Sequence, residues 1–86
     1  MTLDLTQRAI QEADLYDAIA RAVANLHAAL ARVDAASVRL TAQRPEPSAA
    51  AFVALDAAEQ LVAVAHEDLA RARIALSEFM QDNTEQ

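Results

Sequence analysis

The segment Gln43-Arg44-Pro45-Glu46-Pro47-Ser48 interrupts an otherwise continuous helical pattern and decides the fold. Each proline fixes φ, lacks an N–H and disfavours the helical conformation in the residue before it, so two prolines this close end one helix and allow another to begin. Ser48 is a good N-cap, and Pro47 and Phe52 have the spacing of a hydrophobic staple. The segment therefore predicts a hinge at residues 43–48.

Two long helices are predicted on either side of this hinge. Asp4 followed by Gln7 has the pattern of a capping box, which starts helix 1, predicted at about 5–42. Helix 2 is predicted at about 49–81, with a frayed tail at 82–86. At 1.5 Å per residue the helices would be roughly 57 and 50 Å long. The whole chain is expected to form one helical-hairpin domain.

In each helix, one row of residues follows the alternating three- and four-residue spacing of a coiled coil, which predicts a left-handed, antiparallel pair. The row in helix 1 is Tyr16, Ile19, Val23, Leu26, Leu30, Val33, Ser37 and Leu40. The row in helix 2 is Leu55, Ala58, Val62, Ala65, Leu69, Ala72, Leu76 and Phe79. Folding about Glu46 places Leu26 at the level of Ala65, so large residues are expected to oppose alanines. The predicted fold class is an all-α, alanine-rich, antiparallel two-helix hairpin.

Apolar residues continue beyond these two rows. The neighbouring row of helix 1 is Leu15, Ala22, Ala29 and Ala36, and the stripe of helix 2 is widened by Leu61, Ala65, Ala72 and Phe79. Alanine favours the helix, but each methyl group contributes little burial energy. We therefore expect a second copy or another protein's helix to cover this widened face and complete a four-helix bundle. The alternative is that these are ordinary exposed apolar side chains.

The composition disfavours several classes of chemistry. The chain has no glycine, cysteine or tryptophan, whereas 23 of its 86 residues are alanine. Phosphate-binding loops and nucleophile elbows rely on glycine, and disulfides and thiolate sites need cysteine. The net charge of −6 disfavours a nucleic-acid partner. We predict a protein that is not an enzyme and that uses no cofactor.

The N-terminus indicates the expected location. Residues 1–7 have neither a basic start nor a continuous apolar core, so they do not resemble a cleaved signal peptide. No apolar run approaches the ~20 residues that are needed to span a bilayer. We therefore predict a cytoplasmic protein with no membrane partner.

The two histidines, His27 and His66, are expected at one level of the hairpin and on the same flank. Asp34 and Glu59 share that flank one heptad away. Imidazole and carboxylate groups bind zinc or iron. However, seven residues separate the two levels by about 10.5 Å, which is too far for one ion. We expect solvated side chains, no bound metal and a weak pH dependence of pairing, since histidine titrates near neutral pH.

Other polar residues carry weaker signals. Ser37 lies far from both histidines, so a nucleophilic role is disfavoured, and we expect its hydroxyl to bond to a helical carbonyl. Glu12 continues the row of helix 1 and indicates that the two helices splay apart near the open end of the hairpin, which is the end opposite the hinge. We expect Arg21, Arg32 and Arg39 to lie together on the outer side of helix 1. In a chain of this charge, that side is expected to be solvated or paired with acids.

These patterns favour a small non-catalytic protein-binding module, a chaperone, adaptor or inhibitor that acts through an apolar helical face. The alternative is a purely structural homo-oligomeric bundle. The expected partner is another protein or a second copy, in a hetero-complex or a homodimer. The candidate protein-binding residues are Leu5, Ile10, Leu15, Tyr16, Ala22, Ala29, Leu61, Phe79 and Met80. For those at the open end, ordinary fraying of the termini is the competing interpretation.

In layout the chain resembles two groups of small helical proteins. One is the hairpin co-chaperones that shield needle subunits in type III secretion, and the other is the compact helical inhibitors carried by phages. The resemblance lies in the layout and in no family-defining motif. It implies two further alternatives, a secretion co-chaperone and an inhibitor of a host protein.

Overall fold

The structure, a computed structural model, describes residues 5–42, 46 and 48–84 and consists of two helices. Helix α1 spans Leu5–Ala42, as predicted, and helix α2 spans Ala49–Thr84. The described chain is an all-α helical hairpin. Helix α2 continues three residues beyond the predicted end at residue 81, because neither glycine nor proline follows to stop it. The predicted capping residue Asp4 lies outside the described residues, as do Glu85 and Gln86.

Ser48 caps the start of helix α2. Its Oγ accepts a hydrogen bond from the backbone N–H of Ala51 at 3.2 Å. Its carbonyl oxygen accepts from the N–H groups of Ala51 and Phe52 at 3.1 and 3.4 Å. The predicted N-cap is therefore confirmed, since the Ser48 side chain accepts a hydrogen bond from the first helical turn, in which the N–H of Ala51 is shared between the Ser48 Oγ and carbonyl oxygen. Pro47, the other half of the predicted staple, lies outside the described residues.

The interface between the helices confirms the row predicted for α2 and corrects the row predicted for α1. In α2, Ala58, Ala65 and Leu69 are buried, and the remaining members of the row are half-buried. In α1 the buried residues are Ala22, Ala29 and Ala36. Three residues of the row predicted for α1 are exposed: Tyr16, Leu30 and Ser37. The predicted row and the observed row of α1 share Ile19, Leu26, Val33 and Leu40. The observed helix is therefore rotated about its own axis relative to the predicted one.

Alanine lies beside alanine across this interface. Ala29 and Ala65 line the same groove, and Ala36 and Ala58 line the next one toward the hinge. The levels along the rod agree with folding about Glu46, and the predicted pairing of Leu26 with Ala65 stays a prediction. Small side chains on the same side of both helices allow a close approach. The larger residues then pack on the other side of the interface.

The hairpin is a narrow rod. It measures 65 × 17 × 14 Å and has a radius of gyration of 19.3 Å, against about 12 Å for a compact domain of this length. Its accessible surface is 6430 Å², against roughly 4,900 Å² for a typical folded monomer of this mass. The isolated hairpin thus exposes about 1,500 Å² more surface than a compact protein of its size.

Candidate protein-binding face

The buried core is small and consists almost entirely of alanine. Seven described residues are buried: six alanines and Leu69, which is 6% exposed. Within the described ranges, no large side chain is fully buried. The larger interface residues are only half-buried: Ile19, Leu26, Val33, Leu40, Leu55, Val62 and Leu76. The hairpin therefore leaves part of its largest aliphatic side chains accessible.

One long side of the rod is a shallow groove lined by the buried alanines. Arg32, Ala29, Leu61 and Ala65 contribute to one segment of it, with a volume of about 250 Å³. Arg32 and Arg39 border the next segment toward the hinge. These two arginines were expected on the outer side of α1, and the rotation of that helix brings them to the edge of the groove instead. Narrow alanine side chains leave this side concave.

The opposite long side, which we call the open face, carries the residues that directly follow the groove alanines in the chain. One residue turns an α-helix by about 100°, which carries Leu30 and His66 across the interface from Ala29 and Ala65. The same position recurs every seven residues. The open face comprises Tyr16, Val23, Leu30 and Ser37 of α1 and Phe52, Glu59, His66, Arg73 and Met80 of α2.

The open face carries large apolar side chains from both helices. The exposed fractions are 48% for Tyr16, 45% for Leu30, 53% for Phe52 and 39% for Met80. Polar residues, among them Glu59, His66 and Arg73, stand between them, which is the mixed composition of many protein-binding surfaces. The half-buried aliphatic residues of the interface lie beneath this face. A partner would therefore cover both sets of side chains.

The structure separates the candidate residues that the sequence grouped together. Ala22 and Ala29, expected on a face awaiting a partner, are buried between α1 and α2. Leu15 and Phe79 are half-buried and line the open end of the groove side, and Leu61 is exposed in the middle of that side.

The remaining candidates lie at or near the open end and are all exposed. Tyr16 and Met80 belong to the open face, on the side opposite Phe79. Leu5 and Ile10 are both exposed, Leu5 to 81%. Ile10 falls on the outer face of α1, away from α2, by its position in the heptad. The predicted open-end cluster is thus spread around the rod and does not form one patch.

His27 and His66 are exposed, as are Asp34 and Glu59. The grooves place residues near 27 in α1 at the level of residues near 66 in α2, so both histidines occupy about the same level. Among the described residues, no three histidine, cysteine or carboxylate side chains are grouped so as to hold a metal ion. The absence of a bound metal stays a prediction.

Polar contacts are few and lie on the surface. Arg71 Nη2 donates to Glu67 Oε2 at 3.2 Å, the one ion pair in the part of the chain that the structure describes. Both side chains are exposed, and such pairs contribute little to stability. Ser37 is exposed and outside the interface, and it is the Thr41 hydroxyl that donates to the Ser37 carbonyl at 3.0 Å. Among the described residues the Ser37 hydroxyl makes no such hydrogen bond, so the bond predicted from it to a helical carbonyl is not found.

Helix α2 is more apolar than the sequence analysis allowed. Between Ala49 and Asp82 it contains a stretch with a mean hydropathy of 1.3, long and apolar enough to cross a membrane by length and composition alone. Only 17% of that stretch is buried in the hairpin. Asp56 and Glu59 lie in the apolar half of the helix, and a carboxylate at the centre of a bilayer costs about 2.5–3.5 kcal/mol. The expectation of no membrane partner stays a prediction.

The fold and this surface define a class, a two-helix all-α hairpin with one open apolar face. In comparisons with known proteins, no family model matches the sequence, and neither a curated protein nor a solved structure matches it.

The open face does not follow from the row of large residues in α1, because that row predicts Leu30 and Tyr16 inside the hairpin. Phe52 has the spacing of a staple residue, which gives no sign of its place on this face. The signal that could have revealed the face is the heptad spacing of alanine in both helices, at 22, 29 and 36 and at 51, 58, 65 and 72. Two matching rows of small residues indicate the close side of a helix pair. The larger residues next to them in the chain then lie on the far side.

Proposed function

We propose that this chain is a non-catalytic protein-binding module whose open face takes up a partner, in the manner of a chaperone, adaptor or inhibitor. The supporting observation is that Tyr16, Leu30, Phe52 and Met80 are exposed on one long side of the rod, over aliphatic interface residues that are only half-buried. Covering these side chains removes apolar surface from water, which is the dominant favourable term in most protein association. Because the alanine core buries little apolar surface, covering more of that surface with a partner would stabilise the hairpin.

Leu30→Glu tests this proposal, and Val38→Glu is its matched control. Both residues are apolar, exposed and on α1, but Val38 lies outside the open face and is 68% exposed. The tagged protein is incubated with native lysate and, separately, with a differently tagged copy of itself. We expect at least one partner to be retained by the original chain and by Val38→Glu, and lost by Leu30→Glu, because a buried unpaired carboxylate is costly.

Circular dichroism of both variants shows whether the helices persist. If no bound protein distinguishes Leu30→Glu from Val38→Glu while both remain helical, the open face is not a binding surface and the proposed function is wrong.

A further inference from the structure

We propose that a second copy of this chain covers the open face, packed antiparallel about a two-fold axis that passes beside His66. This inference rests on the proposed function and names the partner. The two hairpins would form a four-helix bundle in which α2 lies on α2 and α1 lies on α1 of the other copy. An interface of this kind must be self-complementary, because the same residues meet on both sides of the axis.

The open-face row of α2 has this self-complementarity. Its members, spaced by seven residues, are Phe52, Glu59, His66, Arg73 and Met80. A two-fold rotation at His66 brings Phe52 against Met80 of the second copy and Glu59 against Arg73 of the second copy. The first pair joins an aromatic ring to a thioether, which is a favourable contact. The second joins opposite charges, and it occurs twice in the dimer.

The open-face row of α1 has its own centre at the same level. Val23 and Leu30 lie equally far on either side of a point between residues 26 and 27. Rotation about that point brings Leu30 against Val23 of the second copy, and Tyr16 against Ser37. The grooves place this point of α1 level with His66 in α2. Two rows that are independent in sequence therefore share one axis.

Charge distinguishes this antiparallel arrangement from the parallel one. In a parallel dimer, α1 lies on α2 of the second copy and levels along the rod are kept. Glu59 would then lie level with Leu30 and Ser37 of the second copy, the open-face residues of α1 at that height, and neither of them is charged. A charged group covered without a charged partner opposes association. The antiparallel dimer instead pairs each Glu59 with an Arg73, and neither residue has an ion-pair partner among the described residues of its own chain.

The available area fits a stable dimer. One long side of the rod, 65 Å by 17 Å, covers on the order of 1,100 Å², whereas a standard protein interface buries about 800 Å² on each partner. The excess surface of the isolated hairpin is of the same order. A second copy can therefore supply the cover that the half-buried aliphatic side chains lack.

Exchanging the charges of Glu59 and Arg73 tests the contact. Residues 59 and 73 are about 21 Å apart along one helix, so they cannot pair within a chain. Sedimentation equilibrium is expected to show a dimer for the original protein. We expect Glu59→Arg or Arg73→Glu alone to raise its dissociation constant roughly tenfold or more, because each places two like-charged contacts in the dimer. The double exchange is expected to restore the original value.

The matched control is the same exchange at Glu67 and Arg71. These residues form an ion pair within one helix, at 3.2 Å, outside the open face. Neither the single variants nor the double variant of this pair should change the dissociation constant more than twofold. Single variants of Glu59 and Arg73 that behave like these controls would overturn the proposal.

A cysteine introduced at His66 tests the axis itself. The chain contains no cysteine, so His66→Cys provides a unique thiol. On mild oxidation we expect a disulfide-linked dimer from His66→Cys and none from Gln60→Cys, an exposed position of the same helix away from the open face. In a parallel dimer the two α2 helices do not contact each other, so the two residues 66 are far apart and no disulfide-linked dimer forms.

Three results contradict self-pairing. They are a helical monomer at millimolar concentration, a dimer that His66→Cys does not cross-link, and flotation of the protein with anionic lipid vesicles in place of dimerisation. A monomer whose capture of a different protein is lost with Leu30→Glu would overturn self-pairing and leave the proposed function standing. If the original protein neither dimerises nor captures another protein through the open face, both self-pairing and the proposed function are wrong.

Discussion

Ser48 fixes the residue at which helix α2 begins. Its Oγ and carbonyl oxygen together accept three hydrogen bonds from the first turn, from the N–H groups of Ala51 and Phe52. Proline disfavours the helical conformation in the residue before it, and Glu46, which precedes Pro47 in the sequence, lies outside both helices. One side chain thus converts a break in the pattern into a defined helix start.

We expect Ser48→Ala to lower the free energy of unfolding by about 1 kcal/mol, because the N–H of Ala51 loses its side-chain acceptor. The control is Ser77→Ala, an exposed position well inside α2, where alanine has the higher helix propensity and a slight stabilisation is expected. Urea denaturation followed by circular dichroism measures both. Equal effects of the two substitutions would show that the cap contributes nothing.

Single residues also set how far the sequence could predict the fold. The prolines gave the hinge, and Ser48 gave the start of α2. The sequence predicts the end of α2 at residue 81, before the polar tail, whereas the helix runs to Thr84. Polar residues continue a helix readily where no glycine or proline stops it.

At the scale of the helices, the spacing of apolar residues predicted the interface of α2 and misplaced that of α1. Two adjacent rows of α1 both follow a heptad, and they share the residues between them. Size favours the row with Tyr16 and Leu30, whereas close approach favours the row with Ala22 and Ala29. Only the fit against a second helix decides between them, and that fit is a property of the pair. The same rotation of α1 creates the open face, and the one signal of it in the sequence is the pair of matching heptad rows of alanine.

Ala29→Leu tests this orientation of α1. Leucine at a buried position in a close helix pair overpacks the interface, so we expect a loss of about 1–3 kcal/mol in the free energy of unfolding. Ala31→Leu is the control, since Ala31 is exposed and leucine is nearly as good a helix former as alanine. If Ala29→Leu is tolerated as well as Ala31→Leu, the buried row of α1 is not the alanine row.

The whole molecule is a rod with little interior, and its shape leaves association as the main source of further burial. A two-helix hairpin has one interface, and among the described residues Leu69 is the one large side chain that this interface buries. A four-helix bundle gives each helix a second packed side. The proposed dimer uses the long side on which the larger residues lie, and it leaves the groove side free.

An interior of alanines has a consequence for how long the protein survives. Alanine has no side-chain rotamers to lose on folding, but it also contributes little burial, so a lone hairpin has a small margin against opening. When folding is completed by a second copy, mass action ties the folded fraction to the concentration of the chain itself. At concentrations above the dissociation constant of the dimer, most chains would be folded and protected from proteases. At lower concentrations most chains would be monomeric and degraded sooner. The abundance of such a protein would then regulate its own lifetime.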